Sequence, residues 1–137
     1  MTSPKLAEYI LNQDQFSKWM GIQLIEIRDK YCLIEMSIRQ EMINGLGTVH
    51  GGVTFAFADS ALAFSSNNTN DASVALQCNI NFTKAVRYGD VIRAESILIS
   101  DTKKTGIYDI KITNQHNELV GSFRGTVYKI GKKVTEL

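Results

Sequence analysis

The sequence predicts an α+β fold in which an antiparallel β-sheet lays its apolar face over one buried helix. Two observations predict it. The stretch from Val49 to Asn67 is nearly uncharged, and from Val53 to Phe64 its only ionisable side chain is Asp59. A helix that is apolar on nearly every face is a buried helix. Around it, the chain alternates apolar and polar residues with the period of strands. Connections of hairpin length then imply antiparallel pairing. The apolar central helix is the one element long enough to lie under such a sheet. With 137 residues, 44% hydrophobic and 21% charged, the chain suits one domain, 1–137, around one core.

The elements follow in order. From Lys5 to Met20, the residues Leu6, Tyr9, Ile10, Phe16, Trp19 and Met20 fall at helical spacing, and Gly21 stops the helix. Ile22 to Arg28 reads as a strand, and Asp29-Lys30 as a turn. In the next strand Cys32, Ile34, Met36 and Ile38 share a face. A polar, glycine-bearing loop runs from Gln40 to Thr48. The buried helix occupies about Gly51 to Ser66, ended by the polar run from Asn67 to Asp71. After it, Leu76, Cys78, Ile80 and Phe82 line one strand face against Gln77, Asn79 and Asn81. Arg87 to Asp90 is a turn and Val91 to Ile99 a strand. Ser100 to Gly106 turns into a strand from Ile107 to Thr113, and Asn114 to Glu118 turns into the last, Leu119 to Ile130.

Composition removes several function classes. The net charge of +1 gives no field that steers the chain to nucleic acid or to an anionic membrane, and no nucleic-acid-binding motif is present. No apolar span reaches the roughly 18 residues a membrane helix requires, and the first residues do not resemble a signal peptide, so a cytoplasmic protein is expected. Cys32 and Cys78 alternate with polar residues and read as small core hydrophobes. His50 and His116 have no clustered acid or cysteine beside them, so no metal is expected. A serine-nucleophile elbow, a phosphate loop and a dinucleotide fingerprint are all missing.

The candidate chemistry centres on Asp59 and on His50-Gly51-Gly52. A lone carboxylate in an apolar helix is costly unless it is paired or protonated. Such a group can act as general base or attack an acyl carbon itself. The bland alternative is a carboxylate satisfied by Ser60 or Thr54. The glycines Gly51 and Gly52 let backbone N–H groups approach a ligand at the positive end of a helix, where an acyl oxyanion would be stabilised. His50 reads equally as a loop-packing residue, and Asn44-Gly45 as a turn whose Asn44 could reach a water or a backbone group near the helix start. Gly51 and Asp59 are eight residues apart, or about 12 Å along one helix. A reacting carbonyl must lie ~3 Å from both nucleophile and oxyanion donor. If both residues act, the second comes from another copy of the chain, and two helices crossing at a two-fold axis would give two equivalent sites.

The run Asn44 to Gly52, N-G-x-G-x-x-H-G-G, followed by F-A-D-S-A-x-A-F from Phe57 to Phe64, resembles the hotdog-fold acyl-CoA thioesterases, phenylacetyl-CoA thioesterase type. The likeness continues through Thr105 to Ile112 and Ser122 to Gly125. The resemblance implies a sheet wrapped around a long central helix, a homodimer with a continuous sheet and shared sites, and commonly a homotetramer. It implies an acyl-CoA substrate, aryl-acetyl or medium-chain, and no cofactor. Gly51 N–H would polarise the thioester carbonyl. Asn44 and His50 would shape the pocket, and Asp59 of the partner subunit would be nucleophile or general base. Relatives that place a serine or threonine on the nucleophilic water have Ala75 at that position here. Coenzyme A would lie along the sheet near Gly52, with Arg87, Lys103, Lys104 and Arg124 as candidates for its phosphates. Two other readings stay open: an enoyl-CoA hydratase or dehydratase on the same fold, using His50 with Asp59, and an acyl-CoA-binding protein without turnover.

Overall fold

A computed structural model describes residues 1–137. Two short helices open it, α1 (Ser3–Gln13) and α2 (Gln15–Met20). Strands β1 (Gln23–Arg28) and β2 (Tyr31–Ser37) follow, and then the long helix α3 (Gly51–Asn67). Four more strands complete the sheet: β3 (Asp71–Phe82), β4 (Val91–Asp101), β5 (Thr105–Thr113) and β6 (Leu119–Lys133). The six strands form one antiparallel sheet in the order β1-β2-β4-β5-β6-β3.

The expected single helix from Lys5 to Met20 is two helices. Asp14 breaks it: its backbone N–H closes α1 on Ile10 and Leu11, and its carboxylate caps α2 by accepting from Ser17 N–H at 2.9 Å and Ser17 Oγ at 2.5 Å. An N-cap residue leaves helical dihedrals to do this, so the axis turns there. Gly21 then ends α2 at φ 80°, a left-handed conformation in which glycine carries no Cβ penalty.

The core lies between the concave face of the sheet and α3. Phe57, Ala58, Ala61, Leu62 and Phe64 of α3 are buried against Ile34, Met36, Ile92, Ile110, Ile112 and Phe123. The predicted face of β2 is as expected, since Cys32, Ile34, Met36 and Ile38 are all buried. Both cysteines are free thiols. Cys32 is enclosed between the Ala61 carbonyl and Ser65 Oγ, and burial pushes its thiol up to about 11. Strand β3 departs from simple alternation. A bulge falls between Ala75 and Gln77, and Leu76 is turned out to solvent. No helix is long and apolar enough to cross a membrane.

Candidate active site

Helix α3 begins at the histidine–glycine–glycine run, and each of the three residues has a local reason to be there. His50 is the N-cap: its Nδ1 accepts from Gly52 N–H at 2.9 Å. A Cβ at Gly52 would stand 2.9 Å from that same Nδ1 and displace the cap. A Cβ at Gly51 would meet the Phe82 ring at 3.1 Å. Glycine therefore keeps the helix start close to the end of β3. Gly51 N–H precedes the intrahelical ladder and has no acceptor in the chain. Gly51 lines a cleft of about 450 Å³ together with Thr48, Val49, Thr54, Phe82, Lys84 and Val120, among others.

The loop before the helix is a tight hairpin closed by an isolated bridge between Ile43 and Val49. Asn44 builds it from inside. Its Oδ1 accepts from Leu46 N–H at 2.9 Å and Thr48 N–H at 3.3 Å, while its Nδ2 donates to Thr48 Oγ1 at 3.3 Å. Within one chain Asn44 thus organises the loop that delivers His50, and its polar atoms are engaged there.

Asp59 lies on a stripe of α3, with Gly52, Ala56 and Ala63, that the sheet does not cover, and it is exposed in the single chain. The expected burial on all faces is thereby corrected. The helix is apolar all round, but its small-residue side faces outward. Neither Ser60 nor Thr54 satisfies the carboxylate. Ser60 Oγ pairs with Ser17 Oγ at 2.8 Å, and Thr54 Oγ1 has no partner at all. Although open on one side, the Asp59 carboxyl is crowded by apolar atoms on the others. That desolvation, and secondarily the Asp14 carboxylate, raises its pKa above the ordinary aspartate value.

The basic candidates separate. Arg87 is exposed beside Val86, which lines the cleft, and its backbone N–H is held by Asp90 Oδ2 at 2.9 Å. Lys103 and Lys104 sit on the β4–β5 turn, where the Lys104 carbonyl accepts from Lys129 N–H. The register of β6 puts that turn roughly 25 Å from the Gly121 end, against which Thr54 packs. Arg124 is engaged by Asp109 through Nε at 2.6 Å and Nη2 at 3.0 Å, which raises its own pKa and lowers that of the aspartate. Sequence reasoning passes over Lys84, which lines the cleft and pairs with Glu118. The available signal is its place directly after the last residues of β3, at the mouth facing Gly51. Thr54 enters the sequence reading only as a partner for Asp59.

Comparison with known proteins identifies the family and the fold. The model of the thioesterase superfamily matches residues 46–121, which hold Gly51 and Asp59. The acyl-coenzyme A thioesterase PaaI of Escherichia coli (strain K12) is 34% identical over 129 residues, 94% of this chain and 92% of that protein. Acyl-coenzyme A thioesterase 13 of Homo sapiens is 24% identical, over 73% of this chain and 74% of its own length. The solved structure of the E. coli PaaI protein, from the phenylacetic acid degradation operon, superposes with a TM-score of 0.94 over 96% of this chain and 95% of that one at 33% identity. A mutant of the phenylacetic acid degradation protein PaaI from Thermus thermophilus gives 0.82 at 26% identity, over 85% of this chain and 100% of that one. The sheet laid around α3 is the hotdog fold that the sequence resemblance implied. With more than half of its length matched by the family model, and a PaaI relative above 30% identity along nearly all of it, the chain belongs to the thioesterase superfamily.

Proposed function

We propose that the protein hydrolyses acyl-CoA thioesters to coenzyme A and the free acid, at sites shared between two copies of the chain. The observation that carries this reading is the Gly51 N–H. It lacks an acceptor, stands at the positive end of a 17-residue helix and belongs to a residue that lines a partly apolar cleft. A thioester oxygen placed there accepts its hydrogen bond, and the bond strengthens as the oxygen takes charge in the tetrahedral intermediate. Asp59 supplies the other half of the chemistry. With a raised pKa it holds a proton more firmly than an ordinary aspartate, which suits a group that receives one. As general base it takes a proton from water while the oxygen of that water bonds to the acyl carbon. The C–S bond then breaks, and the thiolate of coenzyme A leaves and is protonated. As nucleophile its carboxylate oxygen would instead bond to the acyl carbon as the C–S bond breaks and the thiolate leaves, giving a mixed anhydride that water opens to the free acid and the aspartate.

Gly51 and Asp59 lie eight residues apart on α3, about 12 Å, too far to meet one carbonyl carbon. Two features support a second copy. Strand β3 is an edge of 12 residues with no strand on its outer side, and it exposes Val74, Leu76 and Phe82. A long apolar edge of this kind calls for a partner strand. Pairing two such edges about a two-fold axis brings each α3 beside its copy, across the stripe of Gly52, Ala56, Asp59 and Ala63. Exposed Ile97 and Ile99 on β4 offer a surface for association of dimers into a tetramer. Lys84, which lines the cleft, and Arg87, next to the cleft-lining Val86, are the basic candidates for the phosphates of coenzyme A on the same chain. An aryl-acetyl or medium-chain acyl group suits the cleft, and PaaI is the relative whose operon is named for phenylacetic acid degradation. Two free thiols suit a cytoplasmic setting.

The test is thiol release across a panel of acyl-CoAs, with enoyl-CoA absorbance followed in parallel. Release of free thiol from at least one substrate is expected. A change in enoyl absorbance without thiol release would favour the hydratase reading, and tight binding with neither signal would favour a sensor.

A further inference from the structure

Thr54 stands one helical turn beyond Gly51 and is 1% exposed, and its Oγ1 is the one buried side-chain polar atom in the chain without a hydrogen-bond partner. A threonine or serine inside a helix ordinarily returns its hydroxyl to a carbonyl one turn back. Ser65, on the same helix, does so with the Ala61 carbonyl at 2.8 Å. Thr54 does not. A buried hydroxyl left unpaired is disfavoured, so each one asks for an account.

The account lies in the cleft. Side chains on a helix lean toward its N-terminus, so Thr54 leans back over the turn that starts at Gly51. Both residues line the same cleft. The methyl group of Thr54 is turned to the sheet, 3.6 Å from where a Cβ on Gly121 would stand, so the apolar end of the side chain is already placed. Resting on the proposal of thioester hydrolysis at Gly51, we propose that the Thr54 hydroxyl is a second hydrogen-bond donor to the thioester oxygen, beside Gly51 N–H. It donates to the carbonyl of the bound acyl-CoA and holds that bond as the oxygen becomes an oxyanion. No proton leaves Thr54 and no bond forms to it. The orphaned hydroxyl of the free protein is then a site prepared for the reacting oxygen, at a cost in the empty state that binding removes.

Thr54→Val keeps the shape and deletes the hydroxyl, and Thr54→Ser keeps the hydroxyl. On the best acyl-CoA, Thr54→Val should lower kcat by about 10-fold or more and raise KM by about fivefold to tenfold, since the donor holds the carbonyl in the bound state and holds it more strongly as the oxyanion forms. Thr54→Ser should stay within about threefold of wild type. The melting temperature of Thr54→Val should equal or exceed that of wild type, because an unpaired buried hydroxyl gives way to a methyl. Wild-type kcat in Thr54→Val overturns the proposal. So does loss of activity that tracks a fall in melting temperature and is not rescued by serine. If valine is not accommodated, Thr54→Ala is judged by the same changes in kcat and KM.

A binding measurement separates this proposal from the thioesterase reading itself. In the Asp59→Asn background, adding Thr54→Val should weaken binding of the acyl-CoA by about fivefold to tenfold, the scale of one neutral hydrogen bond. Binding of the matching S-alkyl-CoA, which lacks the carbonyl oxygen, should not change. Equal loss for both ligands overturns the role of Thr54 even where the enzyme hydrolyses thioesters. Absence of thiol release from every acyl-CoA by wild type defeats the activity while leaving this comparison readable.

Discussion

Asp59 is held between two demands. It lies open to solvent on one side of a single chain, yet the apolar crowd on its other sides, and then Asp14, raise its pKa. The folded chain therefore binds its proton more tightly than the unfolded chain does. The stability tied to that proton is fully present below the ordinary aspartate pKa and is lost as pH rises through the raised one. Asp59→Asn removes that loss. Turnover should fall by at least about 100-fold, the scale of a missing general base. The melting temperature at pH 7 should equal or exceed that of wild type, and the gain should shrink on acidification below about pH 4. Melts at the two pH values together with a turnover assay decide the matter; near wild-type turnover would make Asp59 structural. His50 is expected to behave differently, because its Nδ1 is engaged in capping α3. His50→Ala should cost ~1 kcal/mol of stability, as loss of an N-cap does, and weaken turnover without abolishing it. A pH–rate profile that keeps its main inflection in this variant fits a cap, and loss of the inflection would promote His50 to proton transfer.

Between elements, the seat of α3 on the sheet depends on Gly125 of β6. A Cβ there would come within 2.5 Å of Leu62 Cδ2 and 3.1 Å of Leu62 Cδ1 and of the Phe123 ring. Leu62 is fully buried, so its far end has no solvent to swing into. Gly125→Ala should cost about 1–3 kcal/mol in denaturant unfolding, and Leu62→Ala added to it should cost less than the sum of the two single changes. This contact was not legible in the sequence, where Gly125 shows only as a glycine in a strand. Other features were legible. The period-2 faces of β2 and the apolar run of α3 pointed to the sheet and the helix it covers, because burial makes each inward side chain recur at the repeat of its element. Three things were lost. The break at Asp14 was hidden because apolar spacing runs through it, although aspartate is a favoured N-cap residue and accepts here from Ser17 N–H. The bulge at Leu76 was hidden because it leaves the residue types unchanged. The open stripe at Asp59 was hidden because alanine and glycine read as apolar whether a sheet or a second helix lies against them.

That stripe, and the bare edge of β3, make the active unit a question for the whole molecule. Nothing within one chain can bring Gly51 and Asp59, about 12 Å apart on α3, onto one carbonyl carbon. The candidate residues stand in the sequence as residue types, while in the proposed shared site their meeting depends on geometry between copies. The expected outcome is complementation. One inactive variant carries Asp59→Asn, and a second carries Asn44→Ala with His50→Ala, which unmakes the loop and the cap that set the start of α3. Subunits are exchanged between the two, and mixed dimers are confirmed by mass spectrometry. In each mixed dimer one site gathers both defects and the other gathers none, so about one site in two should regain turnover. The recovered rate should scale with the measured fraction of mixed dimer. Mixed dimers without regained turnover would sink the shared site, and so would a folded monomer that keeps full activity, since such a monomer would need one helix to reach the same atom from its start at Gly51 and from its middle at Asp59.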